Sequence, residues 1–260
     1  MAELLEGKTV VVSGVGNGLG REIALAAYRD GANVVLGART EANLKAVAEE
    51  VDPTGERVAY AVTDILEKEA CGELIRTAAD RFGGVDALVN VAAKEDVFGG
   101  LEGADLDAWK SMLDANVIGT LTLTQAALPE LKKRGGSVVL IGSQAMFHPQ
   151  LPQSAYATSK GALHAAMWSL AKELGPYKIR VNTVVPTWMW GPPVELYVGL
   201  AAAERKVPEE TIIGEITKNM PLGEVPADDD VANSVVFFAS DRARMLTGQT
   251  LFVNAGEYFR

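Results

Sequence analysis

The chain has one cysteine, Cys71, and two histidines, His148 and His164. A single cysteine excludes an internal disulfide framework and any cluster of thiolate ligands. The histidines lie far apart in sequence, with no carboxylate at metal-ligand spacing, so no metal site is expected. No run reaches the ~18 apolar residues that a membrane-spanning helix needs. The stretch from Met1 to Lys8 lacks both the basic opening and the apolar core of a signal peptide, so a cytoplasmic protein is expected. Basic residues are in deficit: 24 Lys and Arg stand against 34 Asp and Glu, a net charge of −10. That balance argues against nucleic acid or an anionic membrane as partner. Repeats, low-complexity tracts and linkers are missing too. With 48% hydrophobic residues over 260 positions, one α/β domain spanning 1–260 with a sizeable core is expected.

What is present alternates between two patterns. Short β-branched runs read as strands at 8–13, 32–37, 57–62, 85–91, 137–142, 179–185 and 249–253. Between them lie helical patterns at 40–51, 67–82, 105–134, 154–175 and 228–239. The pattern at 105–134 is apolar nearly all round, as in a helix buried on two sides. Strict alternation of the two predicts a doubly wound, seven-stranded parallel sheet with helices on both faces. A long excursion at about 187–221 interrupts it and reads as a lid over a ligand crevice. Its Trp and Met content suits an apolar substrate wall or plain packing. Met146 to Pro152 reads as a loop.

The first strand runs into Gly14-Val15-Gly16-Asn17-Gly18-Leu19-Gly20, followed by a helix. In that setting the glycines let backbone N–H groups approach a pyrophosphate at the helix N-terminus, which points to dinucleotide binding. About twenty residues on, where a NAD-selective site carries an acid, stands Ala38, followed by Arg39. A missing carboxylate and an added guanidinium favour the 2′-phosphate of NADP(H), with NAD(H) the alternative. Arg39 reads equally as a solvated side chain or one stacked on adenine. Glu41 is expected in the first turn of the next helix, where an acid is favoured. Asp64 either accepts from the adenine amino group or caps the helix from Glu67.

Tyr156 and Lys160 are four residues apart in a helical stretch and share a face. An ammonium beside a phenol favours the phenolate and lowers a pKa of about 10 toward neutrality, making an acid–base group. Ser143 ends the strand at 137–142 and points into the same crevice. Asn116 sits inside an apolar helix and, read alone, is a hydrogen-bonded core amide. By position, Lys94, Glu95, Asp96, Phe147, His148, Trp188, Trp190 and Tyr197 are candidates for a substrate pocket.

Taken in order, the glycine loop, Asn116, Ser143, Tyr156 and Lys160 make the chain resemble a short-chain dehydrogenase/reductase over essentially its whole length. Ser13-Gly14 through Gly20 matches the family's Thr-Gly-x-x-x-Gly-x-Gly, and Ile141-Gly142-Ser143 its Ile-Ser-Ser. The family's Asn-Asn-Ala-Gly appears as Asn90-Val91-Ala92-Ala93, and its Pro-Gly as Pro186-Thr187. The resemblance implies hydride transfer between the nicotinamide and a carbonyl or secondary alcohol. In it Tyr156 is the general acid/base, Ser143 holds the oxygen, and Lys160 lowers the tyrosine pKa and holds the ribose. Asn116 positions a proton-carrying water. The implied cofactor surface adds Ile65, Asn90, Ala92, Pro186 and Met189 to the glycine loop, Arg39, Asp64, Tyr156 and Lys160. Homotetramers built on the helices at 105–134 and 154–175 are also implied. An NAD-dependent alcohol dehydrogenase and a non-catalytic dinucleotide sensor are the alternative functions.

Overall fold

In the computed structural model, which describes residues 3–148 and 152–259, the β-branched runs form one parallel sheet. Its strands are β1 (Thr9–Ser13), β2 (Asn33–Ala38), β3 (Val58–Val62), β4 (Ala87–Asn90), β5 (Gly136–Ile141), β6 (Ile179–Pro186) and β7 (Thr250–Val253). They stand in the order β3-β2-β1-β4-β5-β6-β7. Val10 pairs with Val34 on one side and Ala87 on the other, so the chain reverses direction across the sheet at β1. Ligands of open α/β sheets bind at the carboxyl ends of strands flanking such a switch point.

Strand periodicity sorts the core into two layers. Val10, Val12, Val34 and Leu36 face α1 (Leu19–Arg29), α2 (Glu41–Val51) and α9 (Asp228–Ala239), packing with Ile23, Leu44 and Val235. Val11, Val35 and Leu88 face the other way. They meet Leu74 of α3 (Lys68–Phe82), Leu123 of α5 (Thr120–Arg134) and Met167 of α6 (Ser154–Leu174). All of these side chains are buried, each worth roughly 1.5–3 kcal/mol of transfer free energy. Helices therefore cover both faces, as the alternation predicts.

The helix expected over 105–134 is present, with a π turn inside it. It begins as α4 (Leu106–Leu113), capped by the Asp105 side chain, and loosens into a π turn at 114–119 before α5 resumes. Leu106 and Ile118 on it are exposed in the single chain. Close packing accompanies the π turn, because a Cβ on Gly119 would stand 2.8 Å from Ile65 Cγ1. Such turns cluster at functional sites, and this one carries Asn116.

The excursion after β6 folds into α7 (Pro192–Arg205) and α8 (Glu209–Thr217). Val198, Ala202 and Ile212 form a small apolar cluster there, separate from both sheet cores and with Trp190 packed on it. Of the expected loop from Met146 to Pro152, residues 149–151 lie outside the described residues.

Candidate active site

A groove of about 1290 Å³ runs across the carboxyl ends of the strands. At one end lies the glycine loop. Gly14 has φ +82°, and a Cβ there would stand 2.3 Å from Ala92 N, so only glycine lets β1 turn against the end of β4. Gly20 is closed off likewise, its virtual Cβ lying 2.4 Å from Gly14 O, whereas Gly16 has open space. No side chain caps α1 at Gly18, leaving the first-turn N–H groups for an anion. Gly14, Gly16, Gly18 and Leu19 line the groove; Asn17 and Gly20 do not.

Next come Ala38 and Arg39. Arg39 is exposed and makes no ion pair or hydrogen bond among the described residues. Glu41 does open α2, where it pairs with Lys45 at 2.9 Å. Asp64, Ile65 and Ala92 also line the groove. Asp64 does not cap α3, whose N-cap is Glu67; its carboxylate accepts from Leu66 N at 3.0 Å and closes its own turn. Asn90 is absent from the wall. It is buried beneath it, with its amide donating to Thr124 Oγ1 at 3.3 Å and its Oδ1 without a partner among the described residues.

At the other end Ser143, Tyr156 and Lys160 line the groove, together with Pro186 and Met189. The sheet places Ser143 just past β5, and the first turn of α6 presents Tyr156 to it. The two side chains line the same stretch of the groove, close enough for Ser143 to act on the phenol. Ser143 Oγ also accepts from Ala145 N at 3.2 Å, which orients its lone pairs. Burial pushes the Tyr156 phenol well up, the Glu95 carboxylate pushes it further, and Ser143 alone pulls it down. Lys160 is 3% exposed. Its Nζ donates to Ile141 O at 2.8 Å and lies 5.6 Å from the centre of the Tyr156 ring. Burial brings this ammonium down to about 8, against the opposing pull of Glu95. The expected lowering of the tyrosine by the lysine is therefore not present. Desolvation governs both groups, and the ammonium is drawn to a backbone carbonyl instead of the phenol.

The Asn116 side chain is hydrogen-bonded on both sides of its amide. Its Nδ2 donates to Lys94 O at 2.8 Å and Ser159 Oγ at 2.9 Å, and its Oδ1 accepts from Lys94 N at 2.6 Å. The amide pins the loop after β4 and makes no hydrogen bond to Lys160. Its side chain is the hydrogen-bonded core amide that the residue suggests when read alone.

Of the candidate pocket residues, Lys94, Glu95, Asp96, His148, Trp188 and Tyr197 line the groove. Phe147 instead stacks on Tyr258, and Trp190 packs within the excursion. Asp228 was legible only as an acid opening α9. In space its Oδ2 lies 3.5 Å from where a Gly18 Cβ would be and 2.7 Å from that of Gly191, on the groove wall. Burial, with Glu22 and Asp229 nearby, raises it to about 6. Among the described residues there is no His, Cys, Asp and Glu grouping able to hold a metal, and no helix long and apolar enough to cross a membrane.

A doubly wound sheet, a glycine turn shaped for close backbone approach and a hydroxyl pair over a buried lysine define a dinucleotide-dependent oxidoreductase. Residues 14–257 match the family model described as enoyl-(acyl carrier protein) reductase. An uncharacterized oxidoreductase of Methylorubrum extorquens is 35% identical over 97% of this chain and 98% of its own. The L-fucose dehydrogenase of Bos taurus is 34% identical over 96% of this chain and 89% of its own. A short-chain dehydrogenase/reductase from Brucella melitensis, described as a glucose/ribitol dehydrogenase, superposes with a TM-score of 0.88 at 30% identity over the whole of both chains. The chain belongs to the short-chain dehydrogenase/reductase family. It is an enzyme acting on CH–OH or C=O groups with a nicotinamide dinucleotide.

Proposed function

We propose that the protein transfers hydride between NADP(H) and a carbonyl or secondary alcohol, with Tyr156 as the general acid/base. The observation that carries this reading is the Tyr156–Ser143 hydroxyl pair, set above buried Lys160 at the end of a groove that begins on the glycine loop. The glycine loop and the α1 N-terminus fit a pyrophosphate, and Arg39 fits a 2′-phosphate. A bound nicotinamide supplies or takes up the hydride. Ser143 donates to the substrate oxygen and stabilises its developing negative charge. Tyr156 gives that oxygen a proton in reduction and removes one in oxidation. Lys160 is the next proton store, and burial keeps bulk water from short-circuiting the exchange. Asn116 fixes the Lys94 loop at the pocket's edge.

Tyr156→Phe tests the assignment. Turnover is expected to fall by about 10²–10⁴-fold while cofactor affinity holds; turnover within about twofold of the parent would sink it. The polyhydroxylated substrates in the names of two relatives make sugars and polyols the first class to screen, and the acidic groove edge at Glu95 and Asp96 suits uncharged hydroxyl-rich molecules. An NAD-dependent alcohol dehydrogenase is the second reading, favoured if Arg39 faces solvent when cofactor binds. A non-catalytic sensor is disfavoured by the retained Tyr156 and Lys160. We also propose a homotetramer in the cytoplasm, with α5 and α6 at its interface. Exposed Ile118, just before α5, and Trp168 on α6 support that interface. A monomeric mass by light scattering at micromolar concentration would exclude the tetramer.

A further inference from the structure

Beyond the catalytic pair, one carboxylate is committed to two loops at once. Glu257 follows β7, and its Oε2 accepts hydrogen bonds from Gln144 Nε2, at 2.8 Å, and from Thr187 Oγ1. Gln144 is buried, 5% exposed, and is the residue after Ser143. Its Oε1 accepts from Asn254 Nδ2 at 2.8 Å, so neither end of the amide is idle. Asn254 also braces its own segment: Nδ2 donates to Tyr258 O at 2.9 Å and Oδ1 accepts from Gly256 N at 3.1 Å. Tyr258 stacks on Phe147, with centroids 6.2 Å apart. Thr187 stands directly after Pro186, and both line the groove, at the end of the strand next to the one that leads to Ser143. This is the position where the glycine of a Pro-Gly pair is replaced by a residue with a hydroxyl, and that hydroxyl is taken up by Glu257.

We propose that Glu257 is a positioning residue, a role that rests on the function proposed above. By drawing Thr187 and Gln144 to one oxygen, it fixes the spacing of Ser143 and the loop after β6, two neighbouring strand ends that both line the groove. A carboxylate accepting two side-chain hydrogen bonds is a stiff joint. A simple anchor for the segment after β7 would contribute stability alone. This joint instead ties together two loops that line the groove, where a displacement of about 1 Å costs on the order of 10²-fold in rate.

Three variants test this: Thr187→Val, which keeps the shape and removes the hydroxyl, Glu257→Ala, and the two combined. Four quantities are read: the melting midpoint, amide hydrogen exchange at 143–148 and 186–191, NADPH affinity by nicotinamide fluorescence, and kcat and KM. For Thr187→Val the midpoint should stay within about 3 °C, while both loops exchange faster and kcat falls about tenfold or more with KM little changed. The double variant should be no slower than Glu257→Ala alone, because both remove one joint. Unchanged exchange in both loops, or kcat within about twofold of the parent while the midpoint drops, overturns the proposal and leaves a plain anchor. If the parent turns over no alcohol or carbonyl, the dehydrogenase reading fails, but exchange still decides this one. Faster exchange in both loops for Thr187→Val keeps the joint, and unchanged exchange removes it.

Discussion

Lys160 Nζ donates to the carbonyl oxygen of Ile141 at 2.8 Å, so the buried ammonium rests against the end of β5 and not against the Tyr156 hydroxyl. Of the two groups, the lysine gives up its proton first. Lys160 is brought down to about 8 while burial pushes Tyr156 up.

A pH profile follows. In oxidation the pair must accept the alcohol's proton, so kcat/KM should rise about tenfold per pH unit below about 8 and level off above it. In reduction the pair must give a proton, and the rate should fall through the same value. Steady-state rates across pH 6 to 9 in both directions check this; flat profiles contradict it.

Arg39 has no partner to lose among the described residues, so its contribution is legible in cofactor choice. NADPH should bind about tenfold more tightly than NADH, ~1.4 kcal/mol, and Arg39→Ala should erase the preference while leaving NADH affinity unchanged. Fluorescence titrations of both forms decide it. Equal affinities in the parent would transfer the enzyme to NAD.

The glycine loop offers a paired test. Gly14→Ala forces a Cβ against Ala92 N at positive φ and should cost on the order of 3 kcal/mol of stability, read by denaturant melts. Gly16→Ala meets nothing within 4 Å in the protein. It should melt like the parent yet bind cofactor more weakly, because the methyl enters the groove.

Asp228 makes stability depend on pH. Burial, Glu22 and Asp229 lift it from 3.8 to about 6, so the folded chain holds this proton more tightly than the unfolded one. Its stabilising effect is full below about pH 4 and is lost as pH rises through about 6. Asp228→Asn should therefore raise the melting midpoint at about pH 8 and change it little at about pH 4. An equal shift at both values would assign the effect to packing.

Much of this was legible in the sequence because the signals are local. Ser137 to Ile141 is a β-branched run fit only for a buried strand, and Tyr156 and Lys160 share a helix face at four-residue spacing. The π turn at 114–119 was not legible. One extra residue in a helical turn shifts apolar spacing by less than the scatter of the pattern, so 105–134 reads as unbroken. Nor was the orientation of Lys160, which depends on a carbonyl 19 residues away and on desolvation that no motif records. The joint at Glu257 spans 113 residues to Gln144 and 70 to Thr187, and a glutamate beyond a strand end looks like any solvated acid. Asp228 was hidden for the opposite reason: an acid opening a helix is so ordinary that its second neighbour, Gly18, left no mark.

The apolar cluster of α7 and α8, built on Val198, Ala202 and Ile212 apart from both faces of the sheet, bears on how such an enzyme changes its diet. Replacements inside that cluster shift α7, whose Pro193, Val194 and Tyr197 line the groove, without reaching the hydrophobic layers that keep the strands together. Selection, or a mutagenesis library confined to 192–217, can therefore explore new substrates at small risk to folding. The same number of replacements in α1 or α6 would be tested first for survival of the fold.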